Sequence, residues 1–258
     1  MNLTQYAIFE ICTECNLGDV HPKCPNRHPQ RYGTLPTDTP VSDDQIVELV
    51  TALYRDYGFQ GHIGWHYYNE PLIAAARMWR LMDRLGTEVP EASFTLWTNG
   101  TLLPEDCSQF IRFTEIHVTN YGMRDRPIRN LRALQATMPG VHYHRGHLDD
   151  RLHAQGKDRP GGGGCNRMLT EFIVDYWGNV HLCCYDWAGT GSIGNVHDDG
   201  LGGIVRDWQE ARIRVAGKTM VVDALPTCRR CKMRSQHIPQ FIPEIAGAAK
   251  EYIERPGG

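Results

Sequence analysis

Between residues 6 and 146 short apolar runs alternate with amphipathic ones, and that alternation constrains the fold more than any single motif. "YAIFEI" (6–11), "GHIGWHY" (61–67), "SFTLWTN" (93–99), "EIHVTN" (115–120) and "VHYHRG" (141–146) have the length and β-branched or aromatic content of buried strands. Ser42 and Gln45 form a capping-box pattern ahead of Ile46, Leu49, Val50 and Leu53 at helical spacing, and Gly58 ends that segment. "PLIAAARMWRLMDRLG" (71–86) is a second apolar-faced helix, and shorter helices are expected near 104–111 and 127–137. Strands alternating with helical crossovers predict an α/β fold with a parallel sheet, either open or closed as a barrel. Such sheets bind ligands at the carboxyl ends of their strands, and the first strand here runs into a cluster of cysteines.

Pro160 and four glycines at 161–164 interrupt this pattern, since such a run holds no regular structure. They divide the chain into residues 1–155 and residues 156–258. In the second part "TEFIVD" and "NVHLCC", joined by "YWG", read as a β-hairpin, "LGGIVRDWQEARIRV" as a helix, and "IPEIAGAAKEYIERPGG" as a last helix with a frayed end.

The 258 residues are 41% hydrophobic, enough for a full core, and the net charge of −3 comes without any block of Lys and Arg. That leaves no electrostatic footprint for nucleic acid or for anionic lipid. No secretory leader pattern opens the chain and no eighteen apolar residues run together, so a soluble cytoplasmic protein is expected. In a reducing compartment nine cysteines point to metal or redox chemistry rather than to disulfides. Cys165, Cys183, Cys228 and Cys231, spaced C-x17-C-x44-C-x2-C, suit tetrahedral zinc or a cubane iron–sulfur cluster equally well.

The motifs at the predicted strand ends are more specific. "CNLGDVHPKCPN" follows the first strand, "YYNEPL" the second, "TNGTLL" the third, and "HVTNYG" closes the fourth. In this order they resemble the radical S-adenosylmethionine superfamily, and "DYWGNVHLCC", "GNV" and "CRRC" resemble its auxiliary-cluster appendage, called SPASM, or twitch in its one-cluster form. The resemblance implies a partial TIM-like (β/α) barrel over 1–155, with a small twitch domain of hairpin and helix over 156–258. It also implies two [4Fe-4S] clusters, S-adenosylmethionine, and an electron donor of the reductase or flavodoxin type.

On that resemblance Cys15 and Cys24 hold the first cluster, but the family's usual C-x3-C-x2-C spacing is two residues longer here and lacks its middle cysteine. Either Cys12, three residues before Cys15, or His21, three residues before Cys24, completes the set. Cys12 is preferred because thiolate is the normal ligand of such clusters. Cys165, Cys183, Cys228 and Cys231 would hold the auxiliary cluster. Asn69 and Glu70 would bind the amino end of S-adenosylmethionine, with Asn99 and Thr119 lining its pocket. Within the superfamily the likeness is to small twitch enzymes that oxidise or epimerise aminocyclitols and aminoglycosides, as in the butirosin and hygromycin B pathways. This implies a small aminocyclitol or aminoglycoside substrate and hydrogen abstraction from a hydroxyl-bearing carbon. Arg151 is the matching candidate for contact with the substrate hydroxyl, and Asp149 and Asp150 for contact with its ammonium groups. Cys184, beside the ligand Cys183, is the candidate donor that returns hydrogen in an epimerase. The expected activity is therefore epimerisation. Oxidation to a ketone, peptide modification by a SPASM enzyme, and a zinc-stapled binding module without catalysis are the alternatives, and Cys107 is expected to be structural.

Overall fold

The computed structural model describes residues 4–18, 20–21, 24–27, 39–121, 130–145, 170–181, 183–189, 191–198 and 200–216. Eight strands form one open sheet: β1 (Tyr6–Phe9), β2 (His62–Gly64), β3 (Ser93–Thr98), β4 (Glu115–Asn120), β5 (Val141–Arg145), β6 (Glu171–Val174), β7 (Asn179–His181) and β8 (Gly194–Asn195). Their spatial order is β5-β4-β3-β2-β1-β6-β7-β8. All pairings from β5 across to β6 are parallel, and β7 and β8 continue the sheet antiparallel. The α/β architecture with a partial barrel is therefore as the sequence predicts.

Helices α1 (Asp43–Arg55), α2 (Ala75–Glu88), α3 (Leu131–Thr137) and α4 (Gly200–Ala216) accompany the sheet. The predicted capping box is formed: the Gln45 backbone N–H donates to the Ser42 hydroxyl and the Ser42 N–H donates to the Gln45 side chain. Ile46, Leu49, Val50 and Leu53 of α1 and Met78, Leu81, Met82 and Leu85 of α2 are buried in one core with Ala7, Phe9, Ile63, Leu96, Ile116 and Val118 of the strands. Alternation along each strand then sends Ile8, Thr95, Trp97, Glu115 and His117 to the opposite, inner face. Helix α4 joins the same core through Ile204, Val205 and Trp208, whose ring meets Phe172 edge-on at 4.9 Å.

Three sequence expectations change. The strand expected over 61–67 stops at Gly64, because the Asn69 side chain accepts the Tyr67 N–H and donates to the Trp65 carbonyl, folding the chain into a turn. The helix expected from 71 begins as a 3-10 turn, Pro71–Ala74, and becomes α-helical only at Ala75. The short helix expected over 104–111 is a 3-10 segment, Ser108–Arg112, with Cys107 as its N-cap, buried and directing its thiol to the Pro104 carbonyl as befits a structural residue.

The predicted hairpin is present, but β7 ends at His181, so Cys183 and Cys184 stand in the turn after it rather than on the strand. Asp175 organises this hairpin. It is fully buried, its Oδ1 accepts the backbone N–H of Trp177 and Asn179, and its Oδ2 accepts from the Asn179 amide and His181 Nε2. Burial alone would push its carboxyl up, but the His181 and Asn179 donors outweigh it and hold the group below the ordinary value of 3.8. A depressed carboxyl stabilises the fold above its unfolded value and loses that contribution as pH falls through its folded value. Denaturant midpoints of the wild-type protein should therefore drop on acidification below about pH 4, and Asp175→Asn should be less stable at pH 7 and lack this component of the acid dependence.

Candidate cofactor and substrate site

The parallel strands point their carboxyl ends the same way, and two buried carboxylates join those ends together. Glu10, fully buried after β1, accepts the backbone N–H of Tyr68 beyond β2 and that of Tyr176 beyond β6. Glu70, 2% exposed, accepts the Thr98 hydroxyl at 2.7 Å and the Leu72 N–H through Oε1, and the Asn99 N–H at 2.8 Å through Oε2. Burial pushes the Glu70 carboxyl up to about 6 against the opposing pull of these donors, so it is mostly ionised near neutral pH. From the helix side Arg77 contributes too, donating to the carbonyls of Ile11 and Val41 and pairing with Asp43 at 2.7 Å.

The cysteine loop springs from this rim. Cys12 is buried, its thiol directed at the Glu70 carbonyl oxygen (3.7 Å) and receiving the Asn69 amide at 3.4 Å. Cys15 lies among the Leu17 backbone, the Asn99 amide, Glu70 and Cys24, and burial pushes its thiol up to about 11. That is the reverse of an activated nucleophile, and it suits a thiol that ionises only on binding a metal. The backbone turns twice between Cys15 and Cys24, with the His21 N–H donating to the Leu17 carbonyl and the Cys24 N–H donating to the His21 carbonyl. The His21 ring sits 5.6 Å from that of Tyr121, just beyond β4. Asn16 anchors the loop: just beyond β3 it accepts from the Asn99 amide (2.8 Å) and donates to the Thr101 hydroxyl (2.7 Å).

Asn69, Glu70, Asn99, Cys12 and Cys15 thus form one continuous network. Thr119 lies further along β4, in register with His144. Among the described residues no three His, Cys, Asp or Glu side chains close around a single point. For a four-iron cluster the fit is one of donor chemistry: two thiols within each other's field, a third thiol at the strand end and an imidazole between them in the chain.

Ile8, Tyr67, Tyr68, Ile173 and Trp187 form an apolar patch against which both Cys24 and Cys184 pack. Cys183 is buried. Cys184 is fixed by its backbone, its N–H donating to Glu171 Oε2 at 3.3 Å and its carbonyl accepting the Tyr68 hydroxyl at 2.5 Å. Cys165, Cys228, Cys231, Arg151, Asp149, Asp150 and the boundary near residue 156 lie outside the described residues. Sequence reading missed Glu10 and Asn16, and it also missed a set of imidazoles on the inner face. Their signal was present in "EIHVTN" and "VHYHR", where His117, His142 and His144 fall at strand positions that alternation places on one side.

Residues 165–232 match the model of the SPASM iron–sulfur cluster-binding domain, the segment in which the sequence resemblance placed it. No curated protein matches the sequence. Among solved structures the chain is similar to BtrN in complex with AdoMet and 2-DOIA, with a TM-score of 0.67 and 21% identity over 90% of this chain and 94% of that one. It is also similar to selenomethionine BtrN in an open conformation, with a TM-score of 0.62 and 20% identity over 89% and 92% of the two chains. The two chains share a fold over nearly their full length, and among the described residues no helix is long and apolar enough to cross a membrane.

The tie from Glu70 to β3 can be tested directly. Glu70→Gln turns one acceptor into a donor facing buried donors, and should cost about 2 kcal/mol in denaturant unfolding at pH 7 while far-UV circular dichroism retains the fold.

Proposed function

We propose that this chain is a radical S-adenosylmethionine enzyme that inverts a hydroxyl-bearing carbon of an aminocyclitol or aminoglycoside ring. When bound, a four-iron cluster and S-adenosylmethionine supply the radical that removes hydrogen from carbon, with electrons from a reductase or flavodoxin-type donor. The observation that carries the reading is the packing of Cys24, from the loop after β1, and Cys184, from the SPASM segment, against one apolar patch.

On this reading Cys15 and Cys24 hold the first cluster, completed by Cys12 or by His21. Cys165, Cys183, Cys228 and Cys231 hold the auxiliary cluster. Asn69, Glu70, Asn99 and Thr119 bound the S-adenosylmethionine site, and the hydrogen bonds that tie the first three together through Cys12 keep that wall rigid. Arg151 contacts the substrate hydroxyl, with Asp149 and Asp150 beside it. Cys184 returns hydrogen to the carbon from its thiol. Two fixed backbone bonds and the packing of its side chain hold that thiol in place. A thiol serves this step because its S–H bond is weaker than the C–H bond it forms. The aminocyclitol class is supported by the shared fold with BtrN, which was crystallised with AdoMet and 2-DOIA.

Anaerobically reconstituted protein should carry about eight irons per chain, falling to about four in Cys183→Ala. Cluster loss in Cys12→Ala assigns the third ligand to Cys12, whereas coupling of ¹⁵N-histidine to the cluster, absent in His21→Ala, assigns it to His21. With substrate and reductant, wild-type enzyme should form 5′-deoxyadenosine and place solvent deuterium at the inverted carbon. Cys184→Ala should keep 5′-deoxyadenosine formation and lose inversion. Wild-type inversion by that variant defeats the donor assignment, and a ketone from the wild-type enzyme makes the reaction an oxidation.

A further inference from the structure

The inner face of β3, β4 and β5 carries a row of flat rings that the proposed reaction leaves unused. The indole of Trp97 lies face to face with His117, their centres 3.9 Å apart and their planes 12° apart, and His66 sits 5.5 Å from the same indole. His142 flanks His117 at 4.8 Å. His144 meets His117 differently. Their planes are within 12° and their centres 5.4 Å apart, but His117 Nδ1 and His144 Nε2 are only 3.1 Å apart, so the rings join edge to edge by a hydrogen bond.

The direction of that bond follows from the other end of the chain. His117 Nε2 faces Glu115 Oε2 at 3.3 Å, and a carboxylate only accepts, so the hydrogen sits on Nε2. Burial, with His142 and His144 alongside, lowers the pKa of His117 despite Glu115, leaving the ring neutral with its lone pair on Nδ1. His144 must then donate from Nε2, the tautomer that in an imidazole leaves the lone pair on Nδ1. Glu115 opens β4 and His144 stands near the carboxyl end of β5, in register with Thr119, so the relay climbs the sheet toward the ligand-binding rim. There the cysteine loop arrives as well, through the contact of His21 with Tyr121.

The ligand class follows from the chemistry of the row. The Glu115 carboxylate at its end disfavours an anion, and among the described residues no three of these side chains close around one point as a metal requires. Flat rings with one oriented acceptor suit an uncharged hydroxyl on a saturated ring.

We infer that this row is the wall that receives the hydroxylated ring of the substrate, with His144 Nδ1 accepting the hydrogen bond of a ring hydroxyl and Glu115 and His117 positioning that nitrogen. The inference rests on the radical reading for its substrate class, but it concerns binding alone. Proton abstraction is not required of His144, which holds the hydroxyl in one orientation beside the carbon to be attacked.

Isothermal titration of the full-length, anaerobically reconstituted protein with the aminocyclitol 2-deoxystreptamine tests it. The wild-type protein should bind. His144→Phe should weaken binding about tenfold, whereas His144→Asn, which keeps an acceptor near the Nδ1 position, should stay within about threefold. Glu115→Ala, which removes the acceptor that holds the hydrogen on His117 Nε2, should weaken binding about threefold, and Glu115→Gln, whose amide oxygen still accepts from that nitrogen, should restore it. No binding by the wild-type protein, unchanged affinity in His144→Phe, or unchanged affinity in Glu115→Ala overturns the inference. Iron content and 5′-deoxyadenosine formation, followed in parallel, report on the radical reading alone.

Discussion

The site depends on backbone N–H groups that the sheet itself leaves without partners. Where parallel strands end, the loops beyond them expose donors at the protein interior, and each must find an acceptor or cost several kcal/mol. Here the acceptors are the carboxylates of Glu10 and Glu70, one binding loops beyond β2 and β6, the other binding residues beyond β2 and at the end of β3. Each carboxylate fixes two loops at once, so four of the parallel strands share a single rigid rim. Arg77 closes the arrangement from the helix side by holding the Ile11 carbonyl, one residue before Cys12. The root of the cysteine loop is therefore fixed by two oppositely charged groups, Glu10 and Arg77.

This also explains how the SPASM segment is aligned with the barrel. Its first strand, β6, lies directly beside β1 in parallel register, Tyr6 opposite Glu171 and Phe9 opposite Val174. The hairpin is thus a continuation of the sheet, and the turn bearing Cys183 and Cys184 is carried back over the inner face by β7. The glycine-rich boundary in the sequence marks a change of composition; the hydrogen-bonded sheet runs across it.

Much of this could be read from the residues. The strands β1, β3, β4 and β5, the α1 cap and the apolar stripes of α1 and α2 announced themselves through period and capping chemistry, because local pattern and burial agree there. The end of β2 did not. "GHIGWHY" has the composition of a strand throughout, and only the fold brings Asn69 back onto Trp65 and Tyr67 to stop it at Gly64. Glu10 was similarly hidden: inside "YAIFEI" it reads as one polar residue of a strand, and its two acceptors acquire meaning only when β6, some 160 residues later in the chain, lies alongside. The motif residues Asn69, Glu70 and Asn99 were visible as short strings, but their mutual bonds are tertiary.

The inner face is divided by chemistry. Around β1 and β6 it is apolar and bears thiols, with Ile8, Tyr67, Tyr68, Ile173 and Trp187 beside Cys24 and Cys184. Across β3 to β5 it is an imidazole and indole surface that can accept hydrogen bonds. A saturated ring with hydroxyl groups around its equator also presents two chemistries, axial C–H bonds on its faces and O–H donors at its rim. If its hydroxyl is held by His144, the rest of the ring extends over the same face toward the thiol side. A face of uniform polarity could bind such a ring in several orientations, whereas one divided in this way favours a single orientation. The buried carboxylates at the rim, the hairpin laid along β1 and the relay from Glu115 to His144 would then serve one geometric end: a single carbon of a nearly symmetric ring exposed to the reacting centre.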